Sequence, residues 1–241
     1  MKTVIINGTE YKYEAVFVTK RAVGGNIGVV VQLQVFKDGK QLDKKDFSGY
    51  IAEKIEEHIR ECLWYQLTEL NQMKEKIEKI NPSCELLTTR KTFPFSKRFC
   101  IKATICGGAT IHRLNLSETI LFFDGHRILF KNNEEFYEDL KRIKTKIPEK
   151  KLNVESYNFE DSKNLMKYAV DVIQLDKIDL KELEKVVNYK NENFPNIKIT
   201  AAGGINLSNV EEYVKKGVDG VVTSSVYNCG MADISSKLKI I

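Results

Sequence analysis

The first 45 residues are rich in β-branched and aromatic positions, at Thr3–Ile6, Tyr11–Val18 and Gly28–Phe36. Asn7-Gly8 and Asp38-Gly39 are hairpin dipeptides, because a tight hairpin turn needs residues that tolerate positive φ. Gly24-Gly25-Asn26 marks a further turn. The pattern predicts a small antiparallel meander. The period then changes. Phe47, Ile51, Ile55, Ile59, Leu63, Leu67, Leu70, Met73 and Ile77 recur three or four apart, a helical stripe. Neither glycine nor proline interrupts residues 50–80, and Pro82 follows. A single straight helix of that length spans about 50 Å, long for a globular domain, so a break is expected near Cys62–Tyr65.

Beyond residue 85, short apolar runs alternate with amphipathic stretches. Glu85–Thr89, Thr119–Phe123, Leu152–Val154, Val170–Leu175, Ile197–Ala201 and Val218–Thr223 read as strands. Residues 133–145, 159–168, 179–193 and 207–216 read as helices. Asp179 with Glu182, and Ser208 with Glu211, have capping-box spacing. Gly217 closes the last helix after Lys215-Lys216. Strands joined by helical crossovers imply a parallel sheet. The predicted fold is α/β, an incomplete parallel α/β barrel (83–241) preceded by a small N-terminal α+β domain (1–82).

Composition narrows the function class. Of the 241 residues, 42% are apolar and 29% charged, as in an ordinary globular protein. No apolar run approaches the roughly 18 residues of a membrane span. The start, MKTVIINGTEYKYE, lacks the apolar region and cleavage site of a signal peptide. The five cysteines, Cys62, Cys84, Cys100, Cys106 and Cys229, show neither paired spacing nor an even count. Buried thiols in a reducing, cytoplasmic compartment are expected. The net charge of +5 comes largely from lysines interleaved with acids, as in Glu53-Lys54-Ile55-Glu56-Glu57. Neither nucleic acid nor membrane is an expected partner.

In parallel α/β folds ligands sit at the carboxyl ends of the strands, so the residues there are the candidates. Ala201-Ala202-Gly203-Gly204-Ile205-Asn206 lets the backbone approach an anion at a helix start. Thr223-Ser224-Ser225 adds hydroxyl donors in the next loop. Tight-turn glycines are the alternative for Gly203 and Gly204. Thr89-Arg90-Lys91-Thr92 and His112-Arg113 form a basic cluster suited to carboxylates or phosphates. Solvated surface charge is the alternative for Arg90 and Lys91, and a structural histidine for His112. Glu155 and Asp176 end adjacent strands and can hold Mg²⁺ or sugar hydroxyls; Asp176 could instead cap a helix. Asp124-Gly125-His126-Arg127 is a further loop, and His58 reads as structural or solvated. Together these suit a phosphorylated sugar meeting an anionic small molecule.

The same residues carry a resemblance. Residues from about 84 to 241 resemble the quinolinate phosphoribosyltransferase (nicotinate-nucleotide pyrophosphorylase) family, nearest to its ModD branch. It rests on Thr89-Arg90-Lys91-Thr92, Gly107-Gly108-Ala109 followed by His112-Arg113-Leu114-Asn115-Leu116-Ser117-Glu118-Thr119, Ala201–Asn206, Val222-Thr223-Ser224-Ser225-Val226-Tyr227 and Ala232-Asp233-Ile234. The resemblance implies transfer from 5-phosphoribosyl-1-pyrophosphate, with Mg²⁺, to an aromatic nitrogen acceptor such as quinolinate. It implies that Arg90, Lys91, His112 and Arg113 bind acceptor carboxylates, with His126 also at the substrate. Glu155 and Asp176 would hold ribose hydroxyls or metal. Gly203, Gly204, Thr223 and Ser224 would hold the 5-phosphate. Arg90, Lys91, Glu155 and Asp176 are thus the catalytic candidates. A homodimer or larger homo-oligomer is implied, with Arg60 a candidate for reaching a neighbour's pocket. Two departures stand out: Phe123-Asp124-Gly125-His126 replaces a Lys-Asp-Asn-His motif, and the first 80 residues differ from the family's usual domain.

Two other readings fit the residues. One is a non-catalytic binding or regulatory protein on the same barrel, linked to molybdate transport. The other is an aldolase or isomerase acting on a phosphorylated substrate, for which Lys177 is the best imine-forming lysine.

Overall fold

The computed structural model describes residues 2–6, 8–21, 27–43, 50–92, 96–114 and 118–227. The expected Gly24-Gly25-Asn26 turn, Cys229 and Ala232-Asp233-Ile234 lie outside the described residues, as do the side chains of His58 and Arg60.

Four antiparallel strands open the chain in sequence order: β1 (Lys2–Ile6), β2 (Thr9–Arg21), β3 (Ile27–Lys37) and β4 (Lys40–Gln41). Asp38 and Gly39 have φ of 50° and 76° and join Lys37 to its register partner Lys40. Two successive positive φ values match the right-handed strand twist, which is why Asp-Gly works there. The register also pairs Tyr13 with Val35, and these two form the buried centre of this sheet, packed by Val4, Tyr11 and Leu42.

Helix α1 runs unbroken from Tyr50 to Ile80, 31 residues. The expected break near Cys62–Tyr65 is absent. Cys62, Gln66, Leu70, Met73 and Ile77 form a continuous buried stripe. Gln66 occupies the position where the apolar period falters. Its Nε2 donates to Cys100 O at 2.8 Å and Thr104 Oγ1 at 3.0 Å, so the polar side chain is tied to the next helix. That helix, α2 (Lys97–Cys106), was not legible in the sequence because its buried face is Cys100 and Thr104 while Phe99 and Ile105 are exposed. Gly107 ends it. A Cβ there would lie 2.8 Å from Leu70 Cβ, so only glycine lets the two helices approach this closely.

The remaining strands are β5 (Glu85–Thr88), β6 (Thr110–Ile111), β7 (Thr119–Phe122), β8 (Lys151–Ser156), β9 (Val172–Asp176), β10 (Lys198–Ala202) and β11 (Gly220–Thr223). They make one all-parallel sheet in the order β6-β5-β11-β10-β9-β8-β7. The first full strand pairs with the last, which curls the sheet into a barrel. The consecutive strands β6 and β7 stand on its two free edges, so the barrel is open. The helices α3 (Asp124–Arg127), α4 (Asn133–Lys146), α5 (Phe159–Leu165), α6 (Leu180–Asn193) and α7 (Val210–Lys215) fill the crossovers. Asn132, Asn158 and Asp179 cap α4, α5 and α6 by accepting backbone N–H groups. The expected cap at Ser208 does not form. Asn206 Oδ1 takes both the N–H and the hydroxyl of Ser208, so α7 starts later, at Val210.

Strand alternation splits the barrel's residues by face. Leu86, Leu152, Val154, Ile173, Leu175, Ile199, Ala201 and Val221 face the helices and share the main core with Leu70, Met73 and Ile77 of α1. Asn153, Glu155, Gln174, Asp176, Thr200 and Ala202 occupy the alternate positions and face the barrel's interior. Cys62, Cys84 and Cys100 are buried and Cys106 is exposed; none of these four forms a disulfide. Among the described residues no helix is long and apolar enough to cross a membrane.

Candidate active site at the carboxyl ends of the strands

A cleft of about 610 Å³ opens at the carboxyl ends of the barrel strands. Each strand delivers its next residues to the wall. The end of β5 gives Thr89, Arg90 and Lys91, and α2 adds Lys97. The end of β6 gives His112, Arg113 and Leu114; β7 gives Leu121 and Phe123. On the other side stand Glu155 from β8, then Gln174, Asp176 and Lys177 from β9. Gly203 and Gly204 follow β10, and Ser224 follows β11.

The acidic side is tightly held. Glu155 accepts from Gln174 Nε2 at 2.7 Å and from Tyr157 Oη at 3.1 Å, one bond to each carboxylate oxygen. Burial raises the Glu155 pKa, and the neighbouring Asp176 carboxylate raises it further. Burial likewise raises the Tyr157 phenol, with Glu155 beside it. The strand end carrying Glu155 is anchored from behind. Arg127 donates to its backbone carbonyl at 2.8 Å and forms a two-point pair with Asp161 at 2.8 and 3.0 Å. Tyr137 Oη and Ser156 Oγ donate to the same Asp161 carboxylate at 2.6 and 2.7 Å.

The glycine turn is shaped for close approach. Gly203 and Gly204 have φ of 88° and 78°. A Cβ on Gly203 would collide with the side chain of Lys177 and lie 2.7 Å from Lys177 N and 2.8 Å from Asp176 Oδ1. Asn206 and Asn209 side chains donate to Gly204 O at 3.2 and 3.1 Å and fix the turn. Lys177 itself has φ of 54°, and its N–H bonds to Ala202 O at 2.9 Å.

On the basic side Arg90 Nη1 reaches Leu114 O at 3.5 Å. Burial pushes the His112 pKa down to about 4, helped by Arg113 and Arg90, so its imidazole is neutral at physiological pH. Burial and Arg90 also lower Arg113. His112 therefore supplies hydrogen bonding and not charge; its Nε2 lies 3.5 Å from Asn153 Nδ2.

The fold thus brings Thr89, Arg90, Lys91, His112, Arg113, Glu155, Asp176, Gly203, Gly204 and Ser224 around one cleft. Thr223 stands behind the wall. It is buried, and its hydroxyl donates to Ile205 O at 2.7 Å, tying the β10 loop to β11. His126 also stands outside the lining. Its Nδ1 accepts from Phe123 N at 3.2 Å, and its ring lies 4.0 Å from that of Phe123. Gln174, Tyr157 and Asp161 are not among the sequence candidates; Lys177 is a candidate there only for imine chemistry, and Arg127 only as part of the Asp124–Arg127 loop. Gln174 was findable: it is polar within an apolar run and two residues before Asp176, hence on the same face.

A family model, "Quinolinate phosphoribosyl transferase, C-terminal domain", matches residues 68–237. The chain belongs to the quinolinate phosphoribosyl transferase family. Its relatives within the family place it with the ModD-like branch. It is 33% identical over 163 residues to a pyrophosphorylase ModD of Pasteurella multocida, covering 68% of this chain and 58% of that one. It is 29% identical over 175 residues to a carboxylating nicotinate-nucleotide pyrophosphorylase of Methanocaldococcus jannaschii, covering 68% and 60%. The chain spans about three fifths of the length of the curated relatives it matches. In fold it resembles the nicotinate-nucleotide pyrophosphorylase of Francisella tularensis, with a TM-score of 0.62, 18% identity and coverage of 89% and 71%. A NadC deletion mutant gives a TM-score of 0.63 at 18% identity, over 90% and 72%.

The cleft of this chain has an apolar stretch of wall on the β6–β7 side. Phe123 stands where the resemblance puts a lysine, and Leu121 and Leu114 lie with it along the lining. Phe123 is 37% exposed, so it presents an aromatic surface and no charge.

Proposed function

We propose that the chain is a phosphoribosyltransferase that takes phosphoribosyl from phosphoribosyl pyrophosphate and gives it to an anionic aromatic nitrogen acceptor. The observation that carries this is the cleft's division. Two carboxylates and a glycine turn line one side; arginines and lysines line the other. A sugar phosphate needs hydroxyl acceptors beside backbone N–H donors. An aromatic acid needs guanidinium groups.

In this reading Gly203, Gly204 and Ser224 take the 5-phosphate, and Glu155 and Asp176 take the ribose hydroxyls. Arg90, Lys91 and Arg113 orient the acceptor so that its nitrogen faces C1 of the ribose. The nitrogen lone pair forms the new bond to C1. The C1–O bond breaks, and its electron pair leaves with pyrophosphate. Holding both reactants in line supplies much of the acceleration. The cationic side offsets charge on the leaving group.

Mg²⁺ fits this donor set. Burial and mutual repulsion of Glu155 and Asp176 raise the Glu155 pKa, a strain that a cation relieves. Mg²⁺ commonly takes one or two carboxylates and completes its shell with phosphate oxygens and water. Among the described residues no cluster of three or more protein ligands occurs, so substrate oxygens would supply the rest. Bound there, the ion would neutralise the pyrophosphate's negative charge.

The reading extends to a homodimer or larger assembly in the cytoplasm. The exposed aromatics Trp64 and Phe99, 70% and 57% accessible, support a contact surface. The first test is thermal stability with phosphoribosyl pyrophosphate and Mg²⁺. Ligand at 100 times its Kd adds about 2.7 kcal/mol, a rise of roughly 5–10 °C. Pyrophosphate release with quinolinate and other pyridine or imidazole acids then finds the acceptor. An absent shift at millimolar ligand overturns the proposal.

A further inference from the structure

We propose that Lys177 is the cation that meets the ligand's phosphate across the Gly203–Gly204 turn. The inference deepens the donor-site reading above and rests on it.

Three observations converge. The first is backbone conformation. Lys177 has φ of 54°, a left-handed conformation that disfavours any side chain. Among the described residues only Asp38 and Ala169 share it without being glycine. Asp38 is explained by its hairpin. Lys177 sits on the lip of the cleft, held by its bond to Ala202 O. Such strain persists where the surrounding structure imposes it and is concentrated at functional sites.

The second is direction. The side chain of Lys177 crosses directly over Gly203, so closely that a Cβ on Gly203 has no room. The left-handed backbone and the glycine beneath it are therefore one device. Together they lay a lysine stem over the turn whose N–H groups would hold an anion.

The third is charge. From β8 to β11 the cleft is lined by Glu155, Gln174, Asp176, Lys177, Ala202, Gly203, Gly204, Val222 and Ser224. Lys177 is the one cation among these lining residues. The others, Arg90, Lys91, Lys97 and Arg113, come from the β5–β6 side. A phosphate dianion beside two carboxylates is repelled unless a cation faces it. Lys177 is exposed and, among the described residues, its ammonium makes no hydrogen bond or ion pair, so it can turn to that task.

The test is calorimetric titration of ribose 5-phosphate, and of phosphoribosyl pyrophosphate with Mg²⁺, into the wild type, Lys177→Gly and Lys177→Arg. Glycine accepts the left-handed φ, so Lys177→Gly should fold with an unchanged or higher Tm. Losing a charge-assisted bond should weaken ribose 5-phosphate by about tenfold to hundredfold. Lys177→Arg should stay within a few-fold of wild type. Should Lys177→Gly fail to fold, Lys177→Gln carries the same expectation. Wild-type binding with an unchanged Kd in Lys177→Gly overturns the role of Lys177 and leaves the donor site standing. Absence of binding of both ligands by the wild type overturns the donor site and this proposal together. A borohydride-trapped adduct between Lys177 and the open-chain aldehyde of ribose 5-phosphate would replace the phosphate role with imine chemistry.

Discussion

Gln174 donates its side-chain amide to Glu155 at 2.7 Å across neighbouring strands whose register sets the two residues side by side. The amide oxygen of Gln174, Oε1, is buried and has no hydrogen-bond partner among the described residues. The amide thus stabilises the ionised carboxylate that burial and Asp176 disfavour. Gln174→Leu should raise the Glu155 pKa further. In pyrophosphate-release assays the acidic limb of the pH profile should move to higher pH, and activity at neutral pH should fall roughly tenfold. Tyr157→Phe, which removes the longer 3.1 Å bond, should act in the same direction and less. A profile that does not move in either variant would contradict this account of Glu155.

Gly203 and Gly204 share a positive φ but differ in their surroundings. A Cβ on Gly204 meets nothing within 4 Å. Gly204→Ala should therefore cost only the left-handed penalty, about 1–2 kcal/mol. Gly203→Ala adds overpacking against Lys177 and Asp176, for a total of about 2–5 kcal/mol. Denaturant melts of the two variants should separate them in that order.

The Arg127–Asp161 pair is enclosed, with side chains only 12% and 13% accessible. Arg127→Ala leaves Asp161 as a buried, uncompensated charge and should cost about 3–5 kcal/mol. The melting temperature should fall by roughly 10 °C. Adding Asp161→Asn removes that charge and should recover part of the loss, which a double-mutant cycle would register.

His112 gives the chain a pH dependence of predictable sign. Its pKa is about 4 in the folded protein against an ordinary 6.5. Below 6.5 the unfolded chain takes up a proton that the folded chain refuses. Stability from this group is complete above pH 6.5 and is lost as pH falls toward 4. Melting temperatures of the wild type should decline across that window, and His112→Gln should flatten the decline.

Phe123 offers a direct test of acceptor choice. Phe123→Lys would place a cation on the apolar stretch of wall. Quinolinate, with two carboxylates, should then bind roughly tenfold more tightly by calorimetry. An unchanged affinity would mean that the acceptor does not lie against this wall.

Much of this molecule is written locally. Asp38-Gly39 sets its hairpin because positive φ is a property of two residues, and Gly8 has the same sign. Asp179 caps α6 through N–H groups two and three residues away. Period-two alternation puts Glu155 and Asp176 on inward faces, and strand-then-helix order puts them at the ligand end. These signals span a few residues, so the sequence by itself determined the open parallel barrel and the strand ends at which its candidate cleft opens.

Tertiary structure decided what depends on distant partners. Whether α1 breaks near Cys62–Tyr65 turns on Gln66 finding Cys100 and Thr104, 34 and 38 residues away. Thr223 resembles a phosphate donor in its loop, yet Ile205, 18 residues back, takes its hydroxyl. Glu155 meets Gln174 through strand register, and Lys177 lies over Gly203 because two loops close on each other. Hydrogen bonding and close packing act over a few ångströms, and only the folded chain sets which distant residues come within that range.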